Sequence, residues 1–166
     1  MLVGKAIRPG GHLGRVDVGL HVVTLARTKS GASHTAHRRG RWHDRFMPCR
    51  VLLVDDDSDF RRAARQLLER HEFAVVAEAE TGISGIERAQ EHRPDLVLVD
   101  VKLPDIDGFE VAERLSRLEV PVHVILTSSL ADSDFGALVA GSSALGFVPK
   151  AELSASAIEA LLAPAR

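Results

Sequence analysis

Chemically reactive side chains stand directly after four short apolar segments of this sequence. They are carboxylates after two of the segments, hydroxyls after a third and an amine after a fourth: Asp55, Asp56, Asp57, Asp100, Thr127, Ser128 and Lys150. Carboxylates held close together repel, so each costs free energy to ionise beside the others. A hard divalent cation relieves that cost, and Mg2+ prefers oxygen ligands and retains waters. The set therefore predicts a magnesium site.

A carboxylate at such a site could attack a phosphorus atom as a nucleophile. A metal ion and the Lys150 ammonium would neutralise charge on the transferring oxygens, and a hydroxyl could donate a hydrogen bond to one of them. The predicted product is a mixed anhydride on Asp100.

The pattern of apolar residues predicts five strands that alternate with five helices. The strands are Arg50–Val54, Phe73–Ala79, Asp95–Val99, Val120–Leu126 and Ala144–Val148. The helices are Ser58–His71 with Ser58 as a cap, a helix that Thr81 or Gly82 opens and that ends at His92, Asp107–Leu118, Asp132–Ala140 and Glu152–Leu162. Continuous apolar strands and short connections indicate a buried parallel sheet with right-handed crossovers. We expect a flavodoxin-like, doubly wound α/β fold with strand order 2-1-3-4-5, in which ligands bind beyond the carboxyl ends of the strands.

Two segments of opposite charge divide the chain. Residues 1–46 have a formal charge of +7 and residues 47–166 one of −9. We expect residues 1–48 to be a basic, disordered extension and residues 49–166 to be the folded domain. The extension is either an unstructured tail or an upstream translation that the cell does not make, with Met47 as the start. A basic arm for nucleic acid or anionic membrane is a third interpretation, which fewer features support.

Length and composition exclude several classes of protein. The chain has 166 residues, and Cys49 is its single cysteine, which excludes a disulfide scaffold. No window approaches the ~20 apolar residues of a membrane-spanning helix, and no secretory signal is found. We expect a cytoplasmic protein with no membrane partner.

Four motifs, in order, resemble those of a response-regulator receiver domain from two-component signalling. They are VLLVDDDS at 51–58, DVKLPDIDG at 100–108, VILTSS at 124–129 and GFVPK at 146–150. The resemblance covers about residues 49–163. Any one motif would be weak, but four at matching strand ends are a specific signal.

The resemblance implies a role for each residue of the site. Asp100 would be the phosphoacceptor, and Asp55, Asp56 and Asp100 would hold Mg2+ together with the backbone carbonyl of Lys102. Lys150 would pair with a phosphoryl oxygen. The phosphoryl group would come from a histidine kinase or a phosphotransfer protein.

The resemblance also implies a switch. Thr127 would follow the phosphoryl group, and Phe147 would swing inward behind it, at a position where the family often has Tyr. Phosphorylation would shift an existing equilibrium of the face formed by the fourth helix, the fifth strand and the fifth helix. That face includes Phe135, Leu138, Val139 and Phe147, and is expected to bind a downstream protein or a second copy in a weak homodimer.

Four residues follow the last predicted helix, which leaves no room for a DNA-binding domain and predicts a stand-alone receiver. It would not be an enzyme. The alternative is a pseudo-receiver, a protein-binding module that works without phosphorylation. A metal-dependent phosphatase with Asp100 as nucleophile would need a second general-acid carboxylate and a substrate pocket, and the sequence indicates neither.

Overall fold

The computed structural model of the protein describes residues 47–119, 121–129 and 135–163, with residues 135 and 136 described as backbone only. The predictions for residues 1–46 and for the start of the fourth helix at Asp132 lie outside the described residues. No helix within these ranges is long and apolar enough to cross a membrane.

Strands and helices alternate along the described chain as predicted. The strands are β1 Cys49–Val54, β2 Phe73–Ala79, β3 Leu96–Asp100, β4 His123–Ser128 and β5 Gly146–Pro149. The helices are α1 Ser58–Glu69, α2 Gly82–His92, α3 Gly108–Ser116, α4 Phe135–Gly141 and α5 Ala155–Leu162, and a 3-10 turn at Lys150–Glu152 precedes α5. All strand pairs are parallel and their order is β2-β1-β3-β4-β5. The flavodoxin-like fold is therefore confirmed.

Each face of the sheet is covered by its own apolar layer. The layer formed with α2, α3 and α4 includes Leu52, Val97, Val99, Leu126, Val111, Leu115 and Val139. The layer formed with α1 and α5 includes Val51, Leu53, Leu98, Ile125, Leu68, Ile158 and Leu161. Because strand residues alternate between the faces, strands buried on both sides read as unbroken apolar runs. This burial fixes the rim of the sheet on which the polar residues stand.

The caps of two helices differ from the sequence-based prediction. The N-cap of α1 is Asp57, whose side chain accepts hydrogen bonds from the backbone N–H groups of Asp59 and Phe60. Ser58 is therefore the first residue of the helix and not its cap. The last helix begins at Ala155, since the Ser154 side chain accepts the N–H of Ala157. The prediction that this helix starts at Glu152 was wrong.

Strand β4 also has different bounds. It begins at His123, where pairing with Leu96 starts, and it continues through Thr127 to Ser128. The preceding Pro121 has no backbone N–H with which to pair. Thr127 therefore belongs to β4, although it was predicted to follow that strand. Asp100 was likewise predicted to follow β3 and is instead its last residue.

Substituting Gly108 by Ala is expected to destabilise the fold by roughly 1–3 kcal/mol, as overpacking does. An added Cβ would lie 2.4 Å from the carbonyl oxygen of Asp100 and 3.0 Å from the Cα of Val101. These are backbone atoms, so the loop after β3 would have to move. Urea unfolding followed by circular dichroism measures the loss. Gly141→Ala is the control, since an added Cβ there meets nothing within 4 Å. Equal losses in the two variants would contradict the prediction.

Candidate functional site

The carboxyl ends of four strands bring the predicted polar residues together at one rim of the sheet. Asp55 follows β1, Asp100 ends β3, Thr127 lies near the end of β4, and Lys150 follows β5. Asp100 and Thr127 are neighbours in the β3–β4 register. The N–H of Val101 donates to the carbonyl oxygen of Thr127 at 2.8 Å, which continues that pairing past the end of β3.

Three carboxylates form an acidic group at this rim. Carboxylate oxygens of Asp55, Asp56 and Asp100 all lie within 4.8 Å of one another. Asp55 and Asp100 are buried, with 2% and 6% of their surfaces exposed, and Asp56 is exposed. One solvent-facing and two buried carboxylates form an all-oxygen donor set of the kind that Mg2+ takes while keeping some waters. The residues therefore fit this cation.

Lys150 is the cation next to the acidic group. Its Nζ lies 2.7 Å from Asp55 Oδ2 and 3.1 Å from Asp100 Oδ2. Burial by itself would lower the pKa of Lys150, but its contacts with the two carboxylates outweigh burial and hold that pKa above its usual value. The side chain therefore carries a positive charge at neutral pH.

Asp55 is the most constrained carboxylate of the group. Its Oδ1 accepts the backbone N–H of Asp57 at 2.9 Å, and its Oδ2 pairs with Lys150. Burial nevertheless raises the pKa of Asp55 above its usual value, and the charge of Asp100 adds to that rise. Three carboxylates around one ammonium leave an excess of negative charge, which a divalent cation would neutralise.

The loop between β3 and α3 is fastened at two points. The N–H of Gly108 donates to the carbonyl oxygen of Val101 at 3.0 Å. The Asp105 carboxylate accepts the N–H groups of Gly82 and Ile83, at 2.7 and 2.8 Å, at the start of α2. Although desolvation opposes the shift, these backbone hydrogen bonds lower the pKa of Asp105 to about 2. The loop that follows Asp100 is thus tied to a neighbouring helix.

Comparison with known proteins identifies the family of this fold and site. The family model described as the response regulator receiver domain matches residues 51–162. The chain belongs to the response regulator receiver family. Receiver domains are signalling modules of two-component systems. They bind Mg2+ at a cluster of aspartates and interact with histidine kinases or phosphotransfer proteins.

Relatives of several kinds carry this domain. The chain is 39% identical over 103 residues to BvgA of Bordetella pertussis, a positive transcription regulator of virulence factors, and this match covers 62% of the chain and 49% of BvgA. It is 31% identical to the chemotaxis protein CheY of Halobacterium salinarum, covering 69% of the chain and 95% of that protein. The receiver domain of NarL from Mycobacterium tuberculosis superposes with a TM-score of 0.62 at 30% identity, covering 70% of this chain and 94% of that one. The chain thus spans about half the length of BvgA.

The residues expected to form the switch are buried in the receiver. Thr127 has 1% and Phe147 4% of its surface exposed, and Phe147 pairs with Leu126 across β4 and β5. Val139 is buried as well. Val139 and Phe147 were predicted to be part of the α4–β5–α5 binding face, but neither belongs to its exposed surface. Leu138, with 57% exposure, does. The side chain of Phe135 lies outside the described residues.

Two neighbours of the acidic group were not assigned to the site from the sequence. Arg61 is buried in α1, and its Nη1 donates to the backbone carbonyl of Asp55. It also pairs with Glu78 at 3.2 Å and Glu80 at 2.8 Å. The Phe60 ring lies beneath the Lys150 ammonium. Arg61 lies three residues before buried Ala64, so a charge within the apolar stripe of α1 was the available signal.

Asp55→Asn is expected to raise the thermal unfolding midpoint of the metal-free protein at pH 7 by a few degrees. Because the folded-state pKa of Asp55 is raised, its ionisation costs stability at pH values above that pKa. This cost disappears as the pH falls through the folded-state pKa, so the difference between variant and wild type should narrow on acidification. Thermal denaturation of both proteins at pH values from 4 to 7, in steps of about one pH unit, measures this difference.

The matched control for Asp55→Asn is Asp57→Asn, which keeps the N-cap of α1 because Asn caps as well as Asp. We expect it to lower the midpoint slightly at pH 7 and not to raise it, because the hydrogen bonds from the N–H groups of Phe60 and Asp59 hold the pKa of Asp57 below its usual value. Added Mg2+ should stabilise the wild type and the control by mass action, and Asp55→Asn much less. An Asp55→Asn protein that melts below wild type at pH 7 would contradict the prediction.

Proposed function

We propose that this receiver accepts a phosphoryl group on Asp100 from the phosphohistidine of a histidine kinase or a phosphotransfer protein. The observation that carries the proposal is the cluster at the rim: Asp100 Oδ2 lies 3.1 Å from the Lys150 ammonium, and Asp55 and Asp56 complete an acidic group beside it. A carboxylate so placed is a nucleophile whose product charge is met by a fixed cation.

The transfer forms one bond and breaks one. A carboxylate oxygen of Asp100 attacks phosphorus, the phosphorus–nitrogen bond of the donor breaks, and its electron pair stays on the imidazole nitrogen, which takes a proton from water. Asp55, Asp56, Asp100 and the backbone carbonyl of Lys102 would hold Mg2+. When bound, the cation supplies charge neutralisation for the phosphoryl oxygens and the acceptor carboxylate.

Residues of the chain supply the remaining contacts. Lys150 pairs with a phosphoryl oxygen in place of its present contact with Asp100 Oδ2. The Thr127 hydroxyl, on the strand next to Asp100, donates a hydrogen bond to another phosphoryl oxygen. Because Thr127 is buried one residue beyond Leu126, the strand partner of Phe147, its movement would alter the packing between β4 and β5.

The output would be a change in protein binding at the α4–β5–α5 face, where Leu138 is exposed. The partner would be a downstream protein in the cytoplasm or a second copy of this receiver. In this role the domain is a switch and not an enzyme, although its own residues assist its phosphorylation. The expectation of a stand-alone protein stays a prediction.

Mass spectrometry of the full chain after treatment with acetyl phosphate and Mg2+ tests the proposed function. We expect the wild type to gain the mass of one phosphoryl group, and Asp100→Asn to gain none, because an amide cannot form the mixed anhydride. Chelation of Mg2+ with EDTA should slow labelling at least tenfold, since the acceptor and the phosphoryl oxygens would then repel each other.

Asp107→Asn is the matched control. Asp107 lies in the same connection and caps α3 by accepting the N–H of Glu110, which Asn can also do. Labelling of this variant should equal that of the wild type. If neither acetyl phosphate nor a panel of phosphorylated histidine kinases labels the wild type, the pseudo-receiver alternative is correct.

A further inference from the structure

Lys150 has a third contact besides the two carboxylates. Its Nζ lies over the ring of Phe60, 4.6 Å from the centroid. Lys150 reaches the acidic group from the end of β5, at the edge of the sheet, and β4 and β3 separate it from β1. A lysine side chain is long and flexible, so its ammonium stays over a distant carboxylate only if other contacts fix it.

Phe60 is connected to the same carboxylate through the backbone. The Asp57 N–H donates to Asp55 Oδ1 at 2.9 Å, and Asp57 Oδ1 accepts the Phe60 N–H at 3.2 Å. The Phe60 ring then faces Lys150, which pairs with Asp55. These contacts form a closed circuit, so the ring, the ammonium and the carboxylate share one geometry.

The Phe60 ring also has a fixed support. Phe60 lies one helical turn before Ala64 and two turns before Leu68, both buried, so all three share the inward face of α1. The ring is half-buried and packs on the core layer beneath α1 and α5. Its position is therefore set by the hydrophobic core and not by Lys150.

We propose that Phe60 is a positioning residue that holds the Lys150 ammonium at the acidic group through the face of its ring. The two carboxylates that contact Lys150 are also the expected ligands of Mg2+, so the cation competes with the lysine for them. An aromatic ring is no ligand for a hard cation. The ring contact thus persists when the carboxylates are engaged, and it keeps the ammonium beside the phosphoryl group. This consequence rests on the proposed function, whereas the contact itself does not.

Graded fluorination of Phe60 in the full chain tests the ring's electrostatic role. Replacing Phe60 by mono-, di- and trifluorinated phenylalanine weakens the negative face of the ring with little change in its size. We expect the Lys150 ammonium protons to exchange with water faster at each step. A total increase in the exchange rate of about two- to five-fold corresponds to the loss of a cation–π contact of ~0.5–1 kcal/mol. NMR of lysine-labelled, metal-free protein measures this exchange, and Lys150→Arg identifies the signal among the four lysines of the chain.

The second measurement is the rate of labelling by acetyl phosphate and Mg2+. It should fall in the same order across the series, and to a similar extent in Phe60→Leu, which keeps an apolar side chain without a ring. Fluorination of Phe73 is the control, because Phe73 is buried at the amino end of β2, away from the rim, and should change neither measurement.

Each outcome decides the proposal. Unchanged exchange of the Lys150 protons across the series would overturn it and leave Phe60 as a packing residue. If the wild type is labelled, and fluorination speeds exchange of the Lys150 protons without slowing labelling, the positioning role would be overturned. An equal response to fluorinated Phe73 would overturn it too. If the wild type is never labelled while exchange still follows fluorination, the proposed function fails and the contact between ring and ammonium stands.

Discussion

Burial of like charges is the constraint on which the rest of this structure depends. Asp55 and Asp100 have lost most of their contact with water, yet their oxygens lie close to each other and to Asp56. Lys150 is a single ammonium and offsets only part of that repulsion. The remaining negative charge disfavours the ion-free state and favours any state that brings a divalent cation to the rim. Under the proposed function, the stability of the ion-free protein is lowered where cation binding would be gained.

The parallel sheet makes this burial possible. Its apolar strands end at one rim, so a polar residue placed at each end meets the others without any long loop to order. Backbone connections around the rim fasten it further. Asp57 caps α1 while its own N–H holds Asp55, and Asp105 ties the Asp100 loop to the start of α2. Because helix ends need capping partners in any case, these fastenings use hydrogen bonds that the fold requires.

The fold, and which polar residues meet at the rim, were predictable from the sequence because both depend on local patterns. Apolar runs define the strands. The residue that follows such a run lies at the rim because of its place in the strand, and this does not depend on the packing of other elements. Contacts that depend on side-chain direction were not predictable. Ser58 and Asp57 are both good caps, and only the backbone geometry selects Asp57. Val139 and Phe147 are apolar wherever they lie, and only packing shows them to be buried.

The contacts that Arg61 and Phe60 make at the site itself were not predictable from the sequence either. They are adjacent in α1 and contact different parts of Asp55's surroundings: the arginine holds the backbone carbonyl, and the ring holds the lysine that pairs with the carboxylate. Neither interaction has a motif, since each joins residues that only the packing of α1 on the sheet brings together. The first turn of α1 therefore has a structural role and a role at the site. Its one apolar side chain, Phe60, packs against the core, and through that contact the core sets the position of the Lys150 charge at the rim.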